Sequence, residues 1–328
     1  MVKKILLLFI SLVLISLMVF YWQFEKAIEH LEQPVVKDAQ LVRIEQGTSF
    51  YRTVAKLAEQ NLMNNSWALK VLVRIDPELA QIKAGVYQLT AGMDSFAVLE
   101  KLVRGDQHQF KITFTEGSHF KDWQRQLTSH PYIKQTDYSR WLDKLIAPYK
   151  SVEGLLFPDT YHFIADSKDT DIIYQAYQQM QRVKEQVYET GTPFLNWYDT
   201  LILASIIEKE TAVTEEMPLV ASVFYNRLQK NMRLQTDPTI IYGLGDSYAG
   251  DIKRSHLNDK NNPYNTYHIK GLPPTPIAMP GENAIKAAIE PAQSEYLYFV
   301  ASGDGGHVFS KRLADHNKAV RNYLNRTE

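Results

Sequence analysis

The chain opens with a basic tip, Lys3-Lys4, followed by eighteen residues, 5–22, that carry no charge and only two serines. As a helix at ~1.5 Å per residue that run reaches ~27 Å, just enough for a hydrocarbon core of ~30 Å. Glu25, Glu29 and Glu32 follow it, with Lys26 as the counterweight. Basic flanks stay in the cytoplasm, so the pattern predicts residues 1–4 inside, a single-pass anchor over 5–22 and the rest of the chain outside. A cleaved signal peptide needs small residues after its apolar run, and Phe20-Tyr21-Trp22 is bulky there. The expectation is an uncleaved anchor.

Past a polar stalk at 23–40, which contains Pro34, the pattern changes period. Leu41-Val42-Arg43-Ile44 alternates like a half-buried strand, Gly47-Thr48-Ser49 turns the chain, and Phe50, Val54, Leu57 and Ala58 share one helical face. After a further helix comes an Asp76-Pro77 break, then a short strand at 85–89 and a helix over 94–103 ending at Gly105. Residues 41–105 thus read as a compact β-α-α-β-α module with no obvious catalytic group. The opening arrangement then recurs: 110–114 alternates, Gly117-Ser118 turns, and Phe120 and Leu127 take the places of Phe50 and Leu57. A duplicated module fits this echo, and so does the ordinary use of Gly-Ser/Thr to enter a helix.

Residues 106–328 read as a larger, mixed domain. Helices are predicted over 171–189, over 200–211 capped by Asp199, and over 216–230 with Pro218 in the first turn. The ~50 residues 232–281 show little periodicity, and their Tyr, Ile and Leu content predicts an ordered, functional loop. A helix over 281–290, strands over 296–301 and 307–310 and a helix over 312–324 close the chain. The fold class is α+β.

Composition removes several functions. Thirty-six basic against 37 acidic side chains leave a formal charge of -1, without the basic excess expected of a nucleic-acid binder. No cysteine is present, so disulfides, iron–sulfur sites, thiolate zinc and a cysteine nucleophile are excluded. None of the nine histidines has metal-ligand spacing such as H-E-x-x-H, so neither metal nor cofactor is expected.

One carboxylate stands in an unusual place. The segment 201–207 is apolar all round, which requires burial on every side, and Glu208 follows it at the helix's C-terminal end. Burial and the negative end of the helix dipole both disfavour the anion there, as a general acid requires. From position alone, a surface residue at a fraying helix end competes with that reading. Glu210 is rotated ~200° away and reads as a solvated partner of Lys209 or a loop cap. Nearby, Arg233-Leu234-Gln235-Thr236-Asp237-Pro238-Thr239 and Asn262-Pro263-Tyr264-Asn265-Thr266-Tyr267 mix polar groups with aromatic faces, as sugar sites do.

Together with Leu203-Ala204-Ser205-Ile206-Ile207-Glu208-Lys209-Glu210-Thr211 and Ala221-Ser222-Val223-Phe224-Tyr225-Asn226-Arg227-Leu228, these runs resemble the endolytic murein transglycosylases of the YceG-like family. Glu153-Gly154, Phe157-Pro158-Asp159-Thr160-Tyr161, Gly271-Leu272-Pro273-Pro274 and Gly306-His307 extend the resemblance over nearly everything after residue 41. It implies a LysM-like peptidoglycan-binding module at 41–105 and a catalytic role for Glu208. It also implies a lyase that cuts between N-acetylmuramic acid and N-acetylglucosamine without water, inside nascent glycan strands, leaving a 1,6-anhydro end. The expected partners are peptidoglycan strands, the cytoplasmic membrane and peptidoglycan synthases. Gln235, Asp237, Tyr264, Asn265, Thr266 and Tyr267 are our inferred substrate contacts. Two readings compete: a glycan-binding scaffold in which Glu208 is idle, and a hydrolytic muramidase using Asp237 or Glu210 as a second carboxylate.

Overall fold

The structure, a computed structural model, describes residues 2–327. It divides into two compact units, one reaching to residue 110 and including 162–166, the other comprising 111–161 and 167 onward.

The first unit begins with α1 (Val2–Leu31), then β1 (Gln40–Ile44), α2 (Phe50–Glu59), α3 (Trp67–Ile75), β2 (Gly85–Leu89) and α4 (Ser95–Arg104). The predicted β-α-α-β-α order is present. β1 and β2 pair antiparallel, from Gln40 opposite Leu89 to Ile44 opposite Gly85. Val42, Ile44, Tyr87 and Leu89 from this ribbon meet Phe50, Val54 and Leu57 of α2 and Val98, Leu99 and Leu102 of α4 in one buried core. Each such side chain contributes about 1.5–3 kcal/mol over remaining exposed. The stretch read as a stalk differs from expectation. α1 continues nine residues past Trp22, because Phe24, Ala27, Ile28 and Leu31 repeat at helical spacing and pack onto that core, Leu31 completely buried. The backbone N–H groups of Val35 and Val36 then bond to the Met93 carbonyl at 2.9 and 3.2 Å.

The second unit contains most of β3 (Phe110–Thr113), then α5 (Phe120–Ser129), β4 (Ile133–Lys134) and α6 (Ser139–Ile146). After β5 (Thr160–Phe163) come β6 (Ser167–Lys168), α7 (Asp169–Val183) and α8 (Trp197–Glu210). α9 (Met217–Gln229), α10 (Asp237–Leu244), α11 (Arg254–Leu257), α12 (Glu282–Ile289), β7 (Tyr298–Ala301), β8 (His307–Ser310) and α13 (Leu313–Thr327) complete it. α8 is the central post: everything from Thr200 to Ile207 is buried, and α12 and α9 pack against it. Its cap is Asn196, three residues earlier than predicted. The Asn196 side chain accepts the Asp199 N–H at 3.0 Å and donates to the Asp199 carboxylate at 2.8 Å, so Asp199 sits inside the first turn.

The region 232–281 is not one long loop. Asp237-Pro238 starts α10, with proline in the first turn where its missing N–H costs nothing. The proline-rich end is a buried strap: Ile277, Ala278 and Met279 are fully enclosed, and the Ile277 N–H donates to the Ser205 hydroxyl on α8 at 3.0 Å. Both strands predicted at this end are present, the first beginning at Tyr298 rather than 296, and they pair antiparallel, Tyr298 opposite Ser310 and Ala301 opposite His307.

Candidate active site

Glu208 emerges half-buried from the end of α8, with the 277–281 strap on one side and the 115–119 turn on the other. The Gly281 N–H donates to Glu208 Oε2 at 3.0 Å, and no protein donor bonds the other carboxylate oxygen among the described residues. Two backbone bonds hold the walls together. The Gly117 N–H donates to the Met279 carbonyl at 2.8 Å, and the Met279 N–H donates to the Ser118 carbonyl at 2.9 Å. Gly117 has φ 70, a conformation that glycine adopts without Cβ strain, and a Cβ there would come 3.5 Å from Glu208 Cγ. Lys209 leans over the same turn and donates to the Gly117 carbonyl at 3.1 Å.

A second carboxylate, which the sequence reading overlooked, stands beside the first. Glu116 is exposed, and its carboxylate rests where a Cβ on Gly281 would go. Gly281 therefore touches Glu116 with its Cα side and Glu208 with its N–H. Burial raises the Glu208 pKa above the usual carboxylate range, the Gly281 N–H opposes that, Glu116 raises it further and Lys209 lowers it. The result is a carboxyl biased toward its neutral form with one oxygen turned from its protein partner.

Beneath this lies a buried polar layer. Glu153 accepts the Phe120 N–H at 3.1 and 3.3 Å and is pushed up to about 7 by burial, against that hydrogen bond. His119 lies between Tyr242 and Lys209, its pKa lowered first by burial and then by the Lys209 charge.

The structure corrects the reading of Glu210. Rather than pairing with Lys209, its carboxyl accepts the Thr236 hydroxyl and lines a cavity of about 660 Å³ shared with Arg227, Gln235, Asp237, Tyr267 and Tyr298. Burial lifts it to about 7, with Thr236 lowering and Asp237 raising it, and with His307 and Arg227 lowering it more weakly. The rotation from Glu208 was read correctly, but the side it points to is covered by the 234–237 turn and β7.

Three of the six inferred contacts, Gln235, Asp237 and Tyr267, line that cavity. The Tyr267 hydroxyl donates to Asp237 Oδ1 at 2.8 Å. Gln235 is exposed and left-handed at φ 50, which costs a residue with a Cβ about 1–2 kcal/mol. The other three are held inside. Asn265 is fully buried and its amide donates to the carbonyls of His256, Leu257 and Asp259 at 3.2, 3.1 and 2.7 Å. The Thr266 hydroxyl, also buried, accepts the Thr236 N–H at 3.0 Å. The Tyr264 hydroxyl meets Thr275 at 2.8 Å and its ring meets Tyr242 edge-on. None of the six hydrogen-bonds to Glu208. Among the described residues, no group of three or more His, Asp or Glu side chains converges as metal ligands would.

Residues 42–322 match the profile of the YceG-like family. An endolytic murein transglycosylase of Bacillus subtilis (strain 168) is 32% identical over 320 residues, which cover 90% of this chain and 88% of that protein. One from Streptococcus pneumoniae serotype 2 is 29% identical over 283 residues, 74% of this chain and 51% of that protein. The crystal structure of a yceG-like protein from Listeria monocytogenes superimposes over 86% of this chain and 98% of its own, with 30% identity and a TM-score of 0.56.

Proposed function

The chain belongs to the YceG-like family, and on that premise we propose that it is an endolytic peptidoglycan lytic transglycosylase, a lyase anchored in the cytoplasmic membrane. The observation that carries the proposal is Glu208: one half-buried carboxyl, biased to its neutral form, with one oxygen held by a backbone N–H and the other open.

Neutral Glu208 protonates the oxygen joining C1 of N-acetylmuramic acid to C4 of N-acetylglucosamine, and the C1–O bond breaks. The substrate's own N-acetyl group stabilises the developing positive charge at C1. The muramic C6 hydroxyl oxygen then bonds to C1 and its proton returns to the Glu208 carboxylate, leaving a 1,6-anhydro end and a restored acid. No water is consumed, so the second carboxylate of a hydrolase is not required. Gly281 keeps the carboxylate oriented through both transfers.

The cavity around Glu210 takes part of the glycan, with Tyr267 or Tyr298 as a stacking face and Gln235 and Asp237 bonding hydroxyl and acetamido groups. Asn265, Thr266 and Tyr264 act from behind by fixing the loops that carry those residues. The antiparallel β1–β2 ribbon flanking α2 and α3 supports a LysM-like peptidoglycan-binding role for residues 41–105. α1 is long and apolar enough to cross a membrane, which supports an anchor with its basic tip inside; the second unit then lies outside the cytoplasm, beside the peptidoglycan synthases that lay down nascent strands.

The test uses the full chain in detergent, since truncation before Leu31 would strip part of the first unit's core. Purified murein sacculi are digested and the soluble products weighed, beside Glu208→Gln. Soluble fragments whose new ends are ~18 Da lighter than hydrolysis products, absent with the variant, are expected. Reducing ends would make the protein a muramidase, and equal release by both proteins would remove Glu208 from the chemistry. Binding without release by either would leave a scaffold.

A further inference from the structure

The end of α1 is not a loose tether. Phe20, Phe24, Ala27, Ile28 and Leu31 form one stripe at helical spacing, the last four packed onto or buried in the first unit's core. The Asn64 side chain donates to the His30 carbonyl at 2.7 Å and so ties the helix end to the segment leading into α3. Trp67, the first residue of α3, is in ring contact with Phe20 at 5.5 Å and with Phe24 at 5.7 Å.

Phe20 belongs to the uncharged run 5–22, two residues or ~3 Å before its end. A side chain touching Phe20 shares its height in the bilayer. Trp67 is still 41% exposed, and Ile75, two turns along α3, is 75% exposed. Between them Lys70 and Arg74 are exposed, and α3 contains no acidic residue. Aromatic rings beside cations suit the layer where headgroups meet acyl chains. The cations also match an anionic lipid surface.

We propose that the face of α3 bearing Trp67, Lys70, Arg74 and Ile75 is a membrane-docking surface, seated in the interfacial layer of the bilayer that α1 crosses. This rests on the anchor reading of α1. The occupant is lipid rather than a second protein because the patch is continuous with the spanning run: with residues 5–22 in hydrocarbon, the contact with Phe20 leaves Trp67 nowhere else to be. The β-α-α-β unit is thereby held flat on the membrane instead of swinging from it, and whatever glycan it binds is held within a module's depth of the surface.

Because the chain has no cysteine, single cysteines report without background. Full-length protein carrying Tyr21→Cys, Trp67→Cys or Ile75→Cys is labelled with an environment-sensitive fluorophore. It is then reconstituted into phosphatidylglycerol-containing vesicles with and without brominated lipid. Tyr21→Cys reports anchor insertion, and Ile75→Cys leaves the Trp67 packing intact. The expected result is quenching by brominated lipid at all three positions, with Trp67→Cys and Ile75→Cys shielded from aqueous iodide. Quenching confined to Tyr21→Cys, with positions 67 and 75 open to iodide, would overturn the docking surface while leaving the anchor standing. No lipid quenching at Tyr21→Cys would overturn the anchor and the docking surface with it.

Discussion

The turn entering α2 and the turn entering α5 are written in nearly the same letters, Gln46-Gly47-Thr48-Ser49-Phe50 and Glu116-Gly117-Ser118-His119-Phe120. Both place glycine in the left-handed region, at φ 79 and φ 70, and both start a helix on phenylalanine. Their surroundings differ. A Cβ on Gly47 would meet nothing within 4 Å, whereas one on Gly117 would touch Glu208 at 3.5 Å and Lys209 at 3.6 Å, in ordinary contact. Glutamine in the first turn is replaced by a glutamate beside the candidate acid in the second. Local sequence sets the shape of a turn, and the partners brought to it across long stretches of chain decide whether it takes part in chemistry.

That contrast can be tested at several strengths. The largest effect belongs to the residue the second turn surrounds: Glu208→Gln should cut release of soluble glycan from sacculi by roughly 10²–10⁴-fold, the range for losing a general acid. Next comes the exchange of letters between turns. Glu116→Gln gives the second turn the first turn's residue, and removing a charge that favours neutral Glu208 should lower cleavage near neutral pH by up to about tenfold. Gln46→Glu should leave the rate unchanged.

The glycines come third. Gly47→Ala and Gly117→Ala each force a Cβ into left-handed backbone, at about 1–2 kcal/mol in thermal unfolding, yet only Gly117→Ala should also slow cleavage. A loss of activity with Gly47→Ala equal to that with Gly117→Ala would break the comparison.

The smallest effect is on stability. Glu153 has its folded pKa raised from 4.5 to about 7, so the folded state holds a proton that the unfolded chain releases at lower pH. Its contribution is fully present below about 4.5 and is lost as pH rises through about 7. The thermal midpoint should therefore drift down across that window, and Glu153→Gln should lessen the drift by its share, Glu210 with its own rise to about 7 keeping the rest.

How far these features could be read in advance depended on the distance over which they are built. The all-round apolar run of α8 signalled a buried post, while the role of the carboxylate at its end came from the neighbouring motifs and the family they resemble. The paired glycine turns were legible because each is local. Glu116 was not, because its importance comes from the bonds between Gly117-Ser118 and Met279, some 160 residues apart, within a segment that has no periodicity to announce it. Glu210 was misjudged for a related reason: a helical wheel gives a direction but not what lies there, and Thr236 and Arg227 arrive from other elements. Asn265 and Thr266 carry the right groups for sugar, yet bond the backbone of His256, Leu257, Asp259 and Thr236 instead. At the end of α1 the charges of Glu25, Lys26, Glu29 and Glu32 give the segment the composition of a polar stalk, while the stripe of Phe24, Ala27, Ile28 and Leu31 among them makes the packing.

The central claim is that one carboxyl, biased toward its neutral form by burial and by Glu116, moves the proton in both directions. The pH dependence of sacculus cleavage under substrate saturation tests it most directly, in the wild type and in Glu116→Gln. The account predicts an activity that falls on the alkaline side with a pKa above the ordinary carboxylate value, and a limb that moves to lower pH in the variant. Superimposable limbs, or a wild-type activity lost already at the pKa of a free glutamate, would contradict it.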